Sequence, residues 1–432
     1  MACSRFLDFD LTDHQSWRRT QNQNNTIPIV SKMINEILEY EKIWRKKENT
    51  KQHSALKQEM YLEFLYQKQI GKDIGVVDRD NFKDIICNEV DRANRKRGRK
   101  QTANRRRGRK QKHTDTEIDL EKRRLSGHHF KSNNADSQKN EDGTRESSQE
   151  TDETRHYRRS NSVDSLPSSL EAEKYANEHD TEAINLLRGY RHLQNVLRHI
   201  PKKDRRRYLG ILDVDMCIKK CHEILMEDVM DTNITAAGKF SVLQRIAIFE
   251  GKKHYYPWYR TVCIADAAIQ AIVDQYNMMI DEISRDRSKR NRVENSFKCA
   301  SVFLFGFLMI HPFADGNGRL ARLLCCHCLN VFSPFPTAVY NVYSSSTRDD
   351  YLTAIVNAKQ NLKLSSNQIE CSGDAINEAM LILEQKPADL CSLIIESNWF
   401  AWRRYLRKIG EDIPMLDIEK RIQNLKENKI TS

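Results

Sequence analysis

Residues 311–322 read His311-Pro312-Phe313-Ala314-Asp315-Gly316-Asn317-Gly318-Arg319-Leu320-Ala321-Arg322. The stretch follows the apolar run Ser301–Ile310 and opens into a second amphipathic segment, so the pattern predicts a loop between two helices. Gly316 and Gly318 let backbone N–H groups come close to an anion, and a helix that starts beside them adds the positive end of its dipole. Arg319 and Arg322 stand one helical turn apart and can hold further phosphate oxygens. Asp315 offers a hard oxygen for a Mg²⁺ that bridges phosphates, and Asn317 an amide donor to a phosphate oxygen. His311, with an ordinary pKa near ~6.5, is suited to take a proton from an incoming hydroxyl. Phosphate cradle, cation ligand and base thus fall within twelve residues.

This segment resembles the Fic family pattern His-x-Phe-x-(Asp/Glu)-Gly-Asn-Gly-Arg-x-x-Arg at every fixed position. The resemblance implies a helical Fic domain that transfers AMP from ATP to a Ser, Thr or Tyr hydroxyl of a protein and releases pyrophosphate. It assigns His311 as general base, Asp315 to Mg²⁺, Gly316, Asn317 and Gly318 to the anion nest and α-phosphate, and Arg319 and Arg322 to the outer phosphates. Arg319 after Gly318 is similar to adenylylating members, whereas Doc-like kinases tend to carry Lys after the Asn.

The resemblance extends over about 165–400. His222-Glu223-Ile224-Leu225 is similar to the end of an early Fic helix, with His222 expected to be structural, and Ala237-Gly238-Lys239-Phe240 to the entry of a flap hairpin. Ser241 stands where relatives commonly carry Arg. The implied flap, Ile246–Tyr255, would dock an acceptor segment by main-chain hydrogen bonds. Tyr351 and Ala358 are similar to a helix that borders the adenine pocket, although Tyr351 also reads as an ordinary core tyrosine. Ser169-Leu170-Glu171-Ala172-Glu173 resembles the family's inhibitory (Ser/Thr)-x-x-x-Glu, with Lys174 where Gly or Asn is usual. There Glu173 would pair with Arg322 and compete with phosphate; an exposed Glu on a charged helix is the plainer reading.

Working outward, the apolar residues are crowded into roughly 185–400 at helical spacing, with helices expected at about 262–285, 294–310, 317–332, 348–360 and 375–396. The one β signal is Phe240–Tyr256, around a turn at Glu250-Gly251-Lys252. The expected fold class is therefore all-α with a β-hairpin flap. A helical region of unknown function precedes it at 1–90, a disordered linker at 91–165, and a C-terminal helical tail follows at 401–432. The linker is rich in Arg, Lys, Ser, Asn, Asp and Glu and nearly free of large hydrophobics, so it cannot offset its ordering entropy.

The net charge of +11 belongs to that linker: Asp91–Lys112 holds 12 Lys/Arg and one acid, which leaves 59 bases and 59 acids elsewhere. Its tandem Arg-Gly-Arg-Lys cores, Arg97–Lys100 and Arg107–Lys110, suit nuclear import or weak nucleic-acid binding, and the rest of the chain is not a general polyanion binder. Eleven cysteines without paired spacing suit a reducing compartment, nuclear or cytoplasmic, and Cys325-Cys326-His327-Cys328 reads as helix packing in preference to zinc. No run approaches the ~18 apolar residues of a membrane span, and a homodimer is left open. Two alternatives remain: a Fic enzyme with another donor or with de-AMPylation activity, and a non-catalytic nucleic-acid-associated protein built around residues 91–112.

Overall fold

The computed structural model describes residues 4–12, 27–47, 56–57, 59–61, 64, 169–199, 210–229, 236–249, 252–330, 333–340, 346–359, 362, 368–417 and 419–420. The linker, its basic repeat and the hairpin turn at 250–251 lie outside these residues. So do the last residues of the expected tail and the side chain of Glu173.

The chain is mostly helical with a small hairpin. Its described elements are α1 (Ser4–Leu7), α2 (Val30–Lys47), α3 (Ser169–His199) and a π-helical stretch (Val214–Lys219) that runs into α4 (Lys220–Met226). Strands β1 (Ile246–Phe249), β2 (Lys252–Tyr255) and β3 (Trp258–Tyr259) follow, then α5 (Val262–Arg285), α6 (Lys289–Ile310) and α7 (Asn317–Leu329). The series closes with α8 (Arg348–Lys359), β4 (Gln368–Ile369), α9 (Ser372–Leu383) and α10 (Ala388–Lys408). Two compact units divide the chain, residues 1–87 with 175–432, and residues 88–174.

The centre of the first unit is α6, whose residues from Ser296 to Ile310 are all buried. It is long and apolar enough to cross a membrane, yet 89% of its apolar window is enclosed by the protein, so its length serves a core. Ser288 caps its start, accepting from Asn291 N–H at 3.2 Å. α5 and α9 run beside it, and a Cβ on Gly306 would come within 2.8 Å of Leu383 Cδ2, so glycine sets how closely α9 approaches. Ala265, Ala268, Ala375 and Ala379 are buried where α5 meets α9.

The helix expected over about 375–396 is two helices. Pro387 has no N–H to continue a helix and stands at the N-cap of α10, so α9 ends at Leu383. A strand pair also went unforeseen: β3 and β4 pair in parallel, Trp258 with Gln368 and Tyr259 with Ile369. Two-residue strands leave no alternation to read. The expected hairpin is present, with β1 antiparallel to β2 and Ile246 opposite Tyr255.

The described N-terminal helices are part of the same unit. α2 packs on α10, where Trp399 Nε1 donates to Glu36 (2.8 Å) and the Tyr40 hydroxyl donates to the same Glu36 oxygen (3.0 Å). Past α10, Glu419 accepts from Arg407 (2.7 Å) and Arg403 (3.2 Å), and these hydrogen bonds hold its carboxyl below the usual carboxylate range despite burial.

Candidate active site

The 311–322 loop is held from below by one aromatic anchor. Phe313 is fully buried, stacked on His222 with ring centroids 3.6 Å apart and planes 3° apart, and flanked by Phe240 at 5.0 Å. Burying such a ring contributes roughly 2–3 kcal/mol. His222 is a strut: its Nε2–H donates to the Asp315 carbonyl (2.9 Å) and its Nδ1 accepts from Gly238 N–H (2.9 Å). One neutral imidazole thereby ties the loop to the flap entry. Burial lowers its pKa to about 4, which keeps that tautomer uncharged.

His311 terminates α6 in the left-handed region, at φ 49° and ψ 59°. For a residue with a side chain this conformation costs about 1–2 kcal/mol, a strain typical of functional loops. Its Nδ1–H donates to the Leu308 carbonyl (3.3 Å), which fixes the tautomer and leaves Nε2 as the basic nitrogen. Burial first, and then the Arg245 charge, lower its pKa to about 4, so the imidazole is neutral at pH 7.

Beyond the loop, the start of α7 has the geometry that receives anions. Leu320 N–H to Gly316 O (3.0 Å) is the first helical bond, and no side chain caps the helix, so the N–H groups of Asn317, Gly318 and Arg319 stand at a positive dipole end. Gly316, at φ 76°, makes the turn into it, and a Cβ there would meet Met226 Sδ at 2.6 Å. A Cβ on Gly318 would lie 3.3 Å from Arg322 Nη1, so its absence lets that guanidinium sit against the helix start.

The remaining expected residues are placed as follows. Asp315 is exposed, with one carboxylate oxygen accepting from Gly316 N–H (2.6 Å). Asn317 uses its side chain within the loop, its Oδ1 accepting from Phe313 N–H (2.9 Å) and its Nδ2 donating to Phe313 O (2.7 Å), so what it turns toward a ligand is backbone. Tyr351 is buried, stacked on Tyr340 at 4.9 Å and facing Arg322, whose guanidinium carbon lies 6.0 Å from the Tyr340 ring centroid. The structure thus puts Tyr351 behind an arginine of the motif. From the described part of α3, Glu182 lies 3.0 Å from Arg319, nine positions past Glu173.

Cys325, Cys326, His327 and Cys328 are all buried in α7, and burial pushes the three thiols up. They are core. Among the described residues no group of three or more His, Cys, Asp or Glu side chains could hold a metal ion.

Sequence reading missed three residues of this site. Tyr256 stacks on His311 with centroids 4.0 Å apart and planes 16° apart; the only hint was an aromatic pair, Tyr255-Tyr256, before Pro257. Arg245 bears on His311 from the flap. Glu182 is a carboxylate on the inward face of α3, next to buried Ala183 and one turn before buried Leu186, and that placement is a readable signal.

A family model described as Fic/DOC family matches residues 215–329, which carry His222, the flap and the motif. A protein named ribonucleoside-diphosphate reductase small chain, from Ostreid herpesvirus 1, is 30% identical over 151 residues, 35% of this chain and 23% of that protein. The protein adenylyltransferase fic-1 of Caenorhabditis briggsae is 27% identical over 156 residues, 34% of this chain and 26% of that protein. The chain thus spans about a quarter of the length of these two relatives. A solved Fic-domain signaling protein of Bacteroides thetaiotaomicron aligns with a TM-score of 0.46 and 15% identity, over 89% of this chain and 99% of that one. Residues 215–329 are a Fic/DOC family domain.

Proposed function

We propose that this chain transfers AMP from ATP to a hydroxyl of another protein. The observation that carries this reading is a neutral imidazole whose Nε2 is its basic nitrogen, at one end of a five-residue turn, with an uncapped helix start and two arginines at the other. Such an arrangement binds a polyphosphate and removes a proton beside it.

In the reaction, His311 Nε2 takes the proton of the acceptor hydroxyl. The hydroxyl oxygen bonds to the α-phosphorus, the bond from that phosphorus to the bridging oxygen breaks, and pyrophosphate leaves. The N–H groups of Asn317, Gly318 and Arg319 and the Arg322 guanidinium offset the phosphate charge, most strongly as it shifts toward the leaving group. Asp315, a single carboxylate at the loop, fits a Mg²⁺ that arrives with the phosphates better than a resident ion, since Mg²⁺ is often held by one carboxylate plus phosphate oxygens. When bound, that ion would neutralise phosphate charge.

For the acceptor, the flap offers exposed apolar side chains, Leu243 at 50% and Ile246 at 46%, and a two-stranded sheet whose β1 edge pairs with no further strand among the described residues. An extended segment adding to that edge would present its hydroxyl near His311.

The test is label transfer to a lysate and to the protein itself from α-³²P-ATP and, separately, γ-³²P-ATP with Mg²⁺, for the native chain and His311→Ala. Label from the α position alone, lost in His311→Ala, supports AMP transfer. Label from γ alone means a kinase and overturns it, as does no label from either.

A further inference from the structure

The flap is joined to the catalytic loop by contacts that form a closed ring. Ser241 N–H donates to the carbonyl of Pro312, the residue after His311 (2.8 Å). The Arg245 guanidinium donates to the carbonyls of Ser241 (2.8 Å) and Leu243 (3.2 Å), and its other terminal nitrogen donates to the Pro257 carbonyl across the hairpin. The Arg245 carbonyl accepts from Tyr256 N–H (3.2 Å). The Tyr256 ring then lies on His311, which closes the ring.

Arg245 is an unusual residue for this place. It is only 5% exposed, its described partners are carbonyl oxygens and the Tyr259 ring, and its Nε has no partner. Burying a guanidinium without a carboxylate is costly, and burial lowers its pKa to about 10. A neutral side chain would fill the space without that cost. What it could not do is bind three carbonyls from both ends of the flap at once, which needs the guanidinium fork.

We propose that Arg245 and Tyr256 are positioning residues for His311: Arg245 locks the two ends of the flap together, and the locked flap presses Tyr256 onto the imidazole, holding it against Leu308. This deepens the transfer reading, on which its catalytic arm rests. The charged and titratable groups bearing on the imidazole are Arg245 and Tyr256 from the flap and Asp315 from its own loop. Lys359 of α8 lies over the Tyr256 ring, 5.7 Å from its centroid.

The experiment compares the full chain with Arg245→Lys, Arg245→Met and Tyr256→Leu. It reads three quantities: melting temperature, the tautomer and titration of His311 by ¹⁵N-histidine NMR, and kcat and KM for ATP. The His311 signal is assigned from its loss in His311→Gln. Arg245→Lys keeps the charge and loses the fork; it is expected to lower kcat on the order of tenfold or more at nearly constant KM, with the Nδ1–H tautomer no longer dominant. Arg245→Met is expected to move the His311 titration upward by roughly one pH unit as well, because the repelling cation is gone. Tyr256→Leu sits at the part-exposed end of the flap and keeps the test open if the Arg245 variants do not fold. A lower melting temperature with His311 tautomer and titration unchanged would mean that the ring is structural only, and the proposal falls. If the native chain transfers no AMP, the NMR arm still decides positioning, so the two readings fail separately.

Discussion

Glu182 of α3 and Arg319 of α7 form an ion pair at 3.0 Å, both largely shielded from solvent. Arg319 also stands in the first turn of the uncapped helix α7, so a phosphate bound there as proposed would compete with the carboxylate for one guanidinium. Glu182→Gln removes the competing charge and retains the shape. The expected result is tighter ATP binding, by roughly 3- to 30-fold, read by titration calorimetry. Unchanged affinity would show that Arg319 does not serve phosphate.

The proposed role of His311 as base gives a pH signature. His311 is held near pKa 4, below the usual 6.5, so its neutral form persists down to that range. The kcat/KM profile should therefore be flat on its acid side from pH 7 to about 5.5 and fall only as pH approaches 4. A limb near 6.5 would place the proton acceptor elsewhere. His311→Ala should lose at least about 100-fold in rate while its circular dichroism is unchanged.

His327 links pH to stability. It is 1% exposed, faces the Ile211 backbone without a hydrogen bond of normal geometry, and burial lowers its pKa to about 4. The unfolded chain, at 6.5, binds the proton more readily, so the stability contribution is complete above pH 6.5 and is lost as pH falls toward 4. The full loss is on the order of 3 kcal/mol for this one group. Urea unfolding at pH 7.5, 5.5 and 4.5 should show His327→Leu losing less stability over that range than the native chain; equal losses would contradict the assignment.

Gly316→Ala tests the turn into α7. The φ of 76° costs an alanine about 1–2 kcal/mol, and its Cβ would also have to displace Met226 Sδ from 2.6 Å. A lower melting temperature together with weakened nucleotide binding is expected. Loss of stability with binding intact would mean that the nest does not depend on this turn.

Removing residues 1–47 should destabilise the family domain. The deletion takes away Glu36, the acceptor of Trp399 Nε1, and uncovers α10 where Val30, Met33, Ile34 and Ile37 of α2 are now buried. At roughly 1.5–3 kcal/mol per side chain the melting temperature should fall by about 10 °C or more, with red-shifted tryptophan emission. An unchanged melting temperature would show the N-terminal helices to be accessory.

The 311–322 loop was legible in the sequence because its residues are local. His311, Asp315, Gly316, Gly318, Arg319 and Arg322 fall within twelve consecutive residues at a helix boundary, where 3.6-residue geometry and glycine stereochemistry alone bring an imidazole, a helix start and two guanidiniums together. The long core helix and the hairpin followed from period and turn residues in the same way. The tertiary structure decided everything that depends on which faces meet. It set Glu182 against Arg319 across 137 residues of sequence, put Tyr351 behind Arg322, and laid Tyr256 on His311. It also turned the Asn317 side chain inward to bind Phe313, and packed α2 on α10. Periodicity says that a helix has an apolar face and is silent about its partner, because burial is non-directional and the partner is fixed only when all the helices compete for the same core.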